Sequence, residues 1–140
     1  MQPVNPYLHV RDVAAALAFC ERAFGFRRLH GLPGADGRLL HAEMRHGDSV
    51  VMIGLEAGNS QSPGAVGGSP VTLYVYVDDV DKAAAQARDA GGTIVAEPGD
   101  AFWGDRVATV QDPEGHRWML ATFKKLVPFS EMKPPAPSRG

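Results

Sequence analysis

The side chains with chemistry to offer come in close-set pairs: Tyr7 with His9, Tyr74 with Tyr76, and Phe102 with Trp103. Residues two apart in an extended strand share a face, so Tyr7 and His9 point one way while Leu8 and Val10 point the other. Tyr74 and Tyr76 alternate in the same manner with Leu73, Val75 and Val77. An imidazole beside a phenol is a usable proton-transfer pair near neutral pH, and aromatic faces can sandwich a flat or cationic ligand. Phe102-Trp103 lies between Gly99-Asp100 and Gly104-Asp105, a loop setting that strand burial does not account for, which makes it the best stacking candidate. The competing role for that pair is to cap the sheet end or fill a subunit interface. Arg106 follows directly, placed to meet a ligand's anion or simply to pair with Asp100 or Asp105.

The rest of the chain must hold these groups in place. Its 140 residues amount to one domain, and a net charge of −2 with 44% apolar residues argues against nucleic acid, a polybasic membrane surface and disorder. The expected partner is a small molecule or another protein. A single cysteine, Cys20, excludes an intrachain disulfide and a thiolate zinc cluster, and its setting among Val13, Leu17 and Phe24 marks an inert core thiol. No stretch approaches the roughly 20 apolar residues that span a bilayer, and the N-terminus lacks the basic and apolar regions of a signal peptide. The expected location is the cytoplasm.

Elements follow from periodicity. Tyr7 to Val10 is a short strand; Asp12 caps a helix whose Val13, Leu17, Cys20 and Phe24 recur at helical spacing until Gly25. Phe26 to Leu29 is strand-like, Gly31 to Gly37 is loop by composition, and Leu39–Arg45 with Ser49–Leu55 form a hairpin around His46-Gly47-Asp48. Ala57 to Pro70, rich in Gly, Ser and Pro, has the composition of a flexible connection. Then the pattern restarts: strand at Val71 to Val77, helix from Val80 to about Ala90 capped by Asp79, a stop at Gly91-Gly92, and a strand at Thr93 to Ala96. Moving the first half forward by 67 positions lays Val10, Asp12, Val13, Ala16, Ala18, Ala23 and Gly25 on Val77, Asp79, Val80, Ala83, Ala85, Ala90 and Gly92. The fold class read from this repeat is α+β: two tandem βαβββ modules, residues 1–56 and 71–123, joined by a 57–70 linker and forming curved sheets around a cleft. Residues 124–140 form a tail whose prolines forbid regular structure and which is expected to be mobile at least from Lys133; Leu126 to Met132 is apolar enough to dock on the domain or on a neighbour.

The paired modules, Val10-x-Asp12-Val13-x-x-Ala16 after the first strand and Asp112-Pro-Glu-Gly115 with Leu120 at the last hairpin, resemble the vicinal oxygen chelate superfamily over residues 4–123. That superfamily groups glyoxalase I, extradiol dioxygenases, fosfomycin-resistance enzymes and bleomycin-resistance proteins. The resemblance implies a divalent metal held by His and Glu from the first and last strands of each module. Carried over by strand position, those places are Asn5, Val51 or Met52, Thr72 and Met119. Neutral oxygens, an aliphatic carbon and a thioether are not a ligand set for such an ion, so the chain is identified with a metal-free glyoxalase-like branch, and no cofactor is expected. His41 with Glu43, which share strand parity, is the reserve candidate for a relocated metal site; His9, His30, His46 and His116 read as solvated or locally bonded.

With Asn5 and Thr72 facing the cleft, parity turns Tyr7, His9, Tyr74, Tyr76, Arg117, Met119 and Ala121 inward and leaves Trp118 and Leu120 for the core. The expected ligand-binding set is therefore Tyr7, His9, Tyr74, Tyr76, Phe102, Trp103, Arg106 and Met119. The first functional expectation is metal-free binding or sequestration of a small aromatic or antibiotic-like ligand. The alternatives are a glyoxalase-like lyase or isomerase, using a relocated metal or His/Tyr acid-base catalysis, and a protein whose clefts are vestigial and which mainly associates with partners. Two-module relatives and exposed sheet edges imply a homodimer.

Overall fold

A computed structural model describes residues 2–136. The first module runs β1 (Tyr7–Val10), α1 (Val13–Phe24), β2 (Arg27–Pro33), β3 (Leu39–His46) and β4 (Ser49–Leu55). After a single helical turn, α2 (Pro63–Val66), the second repeats it: β5 (Thr72–Tyr76), α3 (Val80–Asp89), β6 (Thr93–Asp100), β7 (Asp105–Gln111) and β8 (Arg117–Phe123). The sheets have matching orders, β1-β4-β3-β2 and β5-β8-β7-β6, with the first and last strand of each module parallel and the others antiparallel. The two tandem modules read from the repeat are thus present, strand for strand.

The caps are those the sequence announces. The Asp12 carboxylate accepts from the Ala15 amide and that of Asp79 from the Lys82 amide, satisfying first-turn donors, while Gly25 ends α1 at φ +76°, a conformation that favours glycine. One face of each helix lies on its sheet. Leu17, Ile53, Val110, Trp118 and Leu120 are sealed in a single core with Cys20, whose thiol burial holds in its protonated form.

Three stretches differ from their sequence reading. Gly31-Leu32-Pro33 belongs to β2, not to the loop; β2 is an edge strand, where a proline without an amide breaks no ladder. β6 continues past Ala96 to Asp100 through a register shift between Ala96 and Gly99, which absorbs Pro98. Residues 57–70 contain α2 and a bridge between Ala57 and Ser60. They are fastened where the Glu56 carboxylate accepts from the Ser62 amide at 2.7 Å, and Ser62, through its side chain first and its amide second, holds Glu56 below the usual carboxylate range. Of the tail, Phe129–Glu131 forms one 3₁₀ turn, and residues 137–140 lie outside the described residues.

The modules meet through their helices, since α1 touches α3 and Phe24 of α1 stacks on Trp118 of β8 with ring centroids 4.8 Å apart. Polar bridges tie the junction. Glu114, in the β7–β8 turn, accepts from the Arg11 and Asp12 amides at 2.9 and 3.1 Å. His116 Nε2 donates to the His9 carbonyl, and His46 Nε2 donates to that of Tyr76, so each hairpin turn caps the first strand of the other module. His9 and Tyr76 are equivalent under the 67-residue offset. His46 and His116 are therefore bonded across the modules, where the sequence reading had them solvated or locally bonded. Among the described residues no strand of one sheet pairs with the other, and no helix is long and apolar enough to cross a membrane.

Candidate functional site

The faces turned away from the helices carry the chemistry, and each module presents its own. On the second sheet Asp105 opens β7 as a residue only 5% exposed. Its Oδ2 accepts from the phenols of Tyr74 and Tyr76 at 2.5 and 3.0 Å, and the Trp103 indole donates to the Tyr74 oxygen at 2.9 Å. Burial, with the bond to Asp105 second, pushes the Tyr74 phenol up to about 12; the same carboxylate is the leading cause of the rise at Tyr76. Phe102 stands edge-on to Trp103, centroids 5.0 Å apart. Tyr76, Phe102, Trp103, Asp105 and Phe123 wall one side of a cavity of about 480 Å³, and the tail between Lys125 and Met132 closes the other. The tail is held there because the Lys124 and Lys125 amides both donate to the Gly104 carbonyl; Gly104 has φ +106°, and a Cβ on it would collide with the Lys125 carbonyl.

On the first sheet the register places Tyr7 beside Met52, Met52 beside Glu43, and Glu43 beside His30, with His9, Gly54 and His41 in the next row. Gly54 leaves a gap over which the Tyr7 ring lies: any Cβ there would overlap it. The phenol thereby reaches across β4 to His41 Nδ1 at 3.1 Å, and the His9 ring packs on Tyr7 at 4.9 Å. His30 Nε2 contacts the Glu43 carboxylate.

These placements revise the expected site. Tyr7 and His9 occupy the first sheet and contribute nothing to the 480 Å³ cavity, so one cleft shared by all eight residues is replaced by two separate clusters. A further recess of about 470 Å³ lies at the junction and is lined from both modules, by Val50 and His46 on one side and Tyr74 and Tyr76 on the other. Met119 lies between Tyr74 and Thr109 on the open face of the second sheet but is not a wall of the aromatic cavity. Arg106 leaves the ligand-binding set, and of the alternatives read for it the pairing with Asp100 is the one present. Arg106 points to the helix side, where its guanidinium holds Asp81 at 2.8 and 3.0 Å and Asp100 at 3.2 Å, drawing Asp81 below the usual carboxylate range. Strand parity explains this, because Arg106 alternates with Asp105 and only one of them can face the cavity.

The metal-ligand places fare likewise. Of the two alternatives Met52 is on the open face and Val51 is in the core; the Asn5 amide donates to the Gln2 carbonyl at 2.7 Å. The neutral amide of Asn5, the thioethers of Met52 and Met119 and the Thr72 hydroxyl do not fit the divalent ion of metal-dependent relatives. The reserve pair does not combine either, since His41 is turned to Tyr7 and Glu43 to His30. Among the described residues no group of three His, Cys, Asp or Glu is arranged to hold a metal. Two functional features escaped the sequence reading: Asp105, weighed only as a partner for Arg106, and Gly54, unremarkable until Tyr7 is seen crossing it. The signal for Asp105 was its alternation with Val107 on the open face.

Comparison with known proteins places this geometry. The sequence profile of the Glyoxalase/Bleomycin resistance protein/Dioxygenase superfamily matches residues 4–120. Rv0887c of Mycobacterium tuberculosis is 37% identical over 142 residues, spanning 98% of this chain and 84% of its own. The crystal structure of TioX from Micromonospora sp. ML1 superposes with a TM-score of 0.70 at 29% identity, covering 88% of this chain and 99% of TioX. The fosfomycin resistance protein FosX from Mesorhizobium loti, at 17% identity, shares the fold with a TM-score of 0.63 over 93% of this chain and 95% of its own.

Proposed function

The chain belongs to the Glyoxalase/Bleomycin resistance protein/Dioxygenase superfamily, and within it we propose that this protein binds a flat aromatic small molecule, sequestering it without a metal. The observation that supports this reading is the cavity at the second sheet, which Phe102, Trp103, Tyr76 and Phe123 line on one side and the apolar tail on the other. Its 480 Å³ lies within the range of small-molecule sites, and each good aromatic contact contributes about 0.5–1.5 kcal/mol beyond burial. The working assembly in this proposal is a homodimer, whose second copy covers apolar surface that one chain leaves open.

Acridine, a flat neutral heterocycle at about pH 7.5, tests the reading by calorimetric titration. Saturable binding that Trp103→Ala weakens about tenfold or more supports it. Binding indifferent to Trp103→Ala, or absent at millimolar acridine, overturns it.

A second reading is favoured by the first sheet: the Tyr7–His41 contact across Gly54 suits proton transfer on a small carbonyl substrate, in a glyoxalase-like isomerase that needs no metal. It predicts exchange of the carbon-bound proton of a methylglyoxal–thiol adduct with deuterium oxide, lost in His41→Ala. No exchange with the wild-type protein excludes it.

A further inference from the structure

We propose that Asp105 is the anchor for a positively charged nitrogen on the ligand, so that the aromatic cavity selects flat aromatic cations over neutral rings of the same shape. The inference rests on the reading of that cavity as an aromatic site and adds the charge of its occupant. Its starting point is a carboxylate that is nine-tenths buried, yet incompletely used. Both phenols donate to Oδ2, whereas Oδ1 accepts no hydrogen bond among the described residues and is not sealed from the cavity that Asp105 lines. Tyr74 and Tyr76 orient the charge without neutralising it.

The contrast with the other engaged carboxylates is instructive. Glu114 has Arg11, Glu43 has His30, and Asp81 and Asp100 have Arg106; Asp112, buried without a cation, has both oxygens taken, by the Glu114 and His116 amides and the Trp118 indole, whereas Asp105 has neither a Lys, Arg or His within ion-pair distance among the described residues nor a donor on Oδ1. A carboxylate withdrawn from water without a cation is costly, and that cost is recovered when a ligand supplies the positive charge. The surroundings suit such a group, because the faces of Tyr76, Phe102, Trp103 and Phe123 bear the negative side of their ring quadrupoles. Lys125 reaches the same cavity from the tail without pairing with Asp105, and its repulsion of a bound cation keeps the expected preference modest.

The test compares 9-aminoacridine, cationic at about pH 7.5, with neutral acridine by calorimetric titration at one ionic strength. The wild-type protein is expected to bind the cation about tenfold more tightly. Asp105→Asn, which keeps an oxygen for the two phenols but no charge, is expected to bring the ratio of the two affinities to about one. Equal wild-type affinities overturn the proposal and leave the aromatic reading standing; a preference that survives in a folded Asp105→Asn also overturns it. Failure of both probes to bind overturns the aromatic reading and this one with it. If Asp105→Asn does not fold, the wild-type ratio measured at about pH 7.5 and at about pH 11, where 9-aminoacridine has lost its charge, decides in its place: a preference that persists for the neutral form sinks the proposal.

Discussion

Ionising either phenol on the second sheet sets a new negative charge against the Asp105 carboxylate, in a place partly withdrawn from water. Tyr74 is raised from 10.0 to about 12 by burial and by that bond, and Tyr76 is raised by the bond above all. A group whose folded value lies above its unfolded value contributes stability that is complete below the unfolded value. That contribution is lost as pH rises through the folded one, so the contribution of Tyr74 fades between about pH 10 and 12. Ultraviolet titration of the phenolates should therefore resolve Tyr74 and Tyr76 above the ordinary range, and Asp105→Asn should bring both down; a wild-type protein in which neither Tyr74 nor Tyr76 is raised contradicts the network. At this scale the sequence was half legible. Alternation showed that Tyr7 with His9, and Tyr74 with Tyr76, share open faces. It did not show which polar group they meet, because hydrogen-bond partners 29 to 34 residues away are set by sheet register and not by local spacing.

The elements themselves were legible wherever period and cap agreed. Asp12, Asp79 and Gly25 fixed the helices, and the 67-residue repeat fixed the order of strands before any coordinate was known. What composition concealed was how short segments are fastened: the Gly/Ser/Pro stretch is pinned at Ser62, and the β7–β8 turn reaches into the first module through Glu114. That carboxylate is 7% exposed and accepts from two backbone amides, so Glu114→Ala leaves both donors short of an acceptor and should cost about 2–4 kcal/mol, read as a lower urea midpoint. Arg11→Ala removes only a half-exposed ion-pair partner and should cost about 1 kcal/mol or less. Equal losses from the two variants mean that the ion pair, and not the amide clamp, joins the modules.

For the whole molecule, what the chain leaves uncovered is as informative as what it buries. Leu126 is 82% and Phe129 91% exposed, although both belong to the segment that closes the aromatic cavity, and the open faces of both sheets add Tyr7, Leu32 and Phe123. A chain with a mild net charge gains little electrostatic protection for such surface, and in the homodimer proposed above a neighbouring copy covers it. The sequence marked Leu126 to Met132 as apolar enough to dock, but could not say on what, because docking on the chain's own core and docking on a neighbour require the same composition. In the structure the segment is anchored at Gly104 while its large side chains stay in water. Native mass spectrometry is expected to give twice the 15.0 kDa chain at micromolar concentration. Leu126→Asp combined with Phe129→Asp should return a folded monomer, because both side chains lie outside the core and their replacement disturbs nothing sealed within it. A wild-type monomer would leave those two side chains in water and make the ligand itself their cover; acridine should then protect the amides of residues 125–132 from hydrogen exchange, which a pre-covered tail would not show.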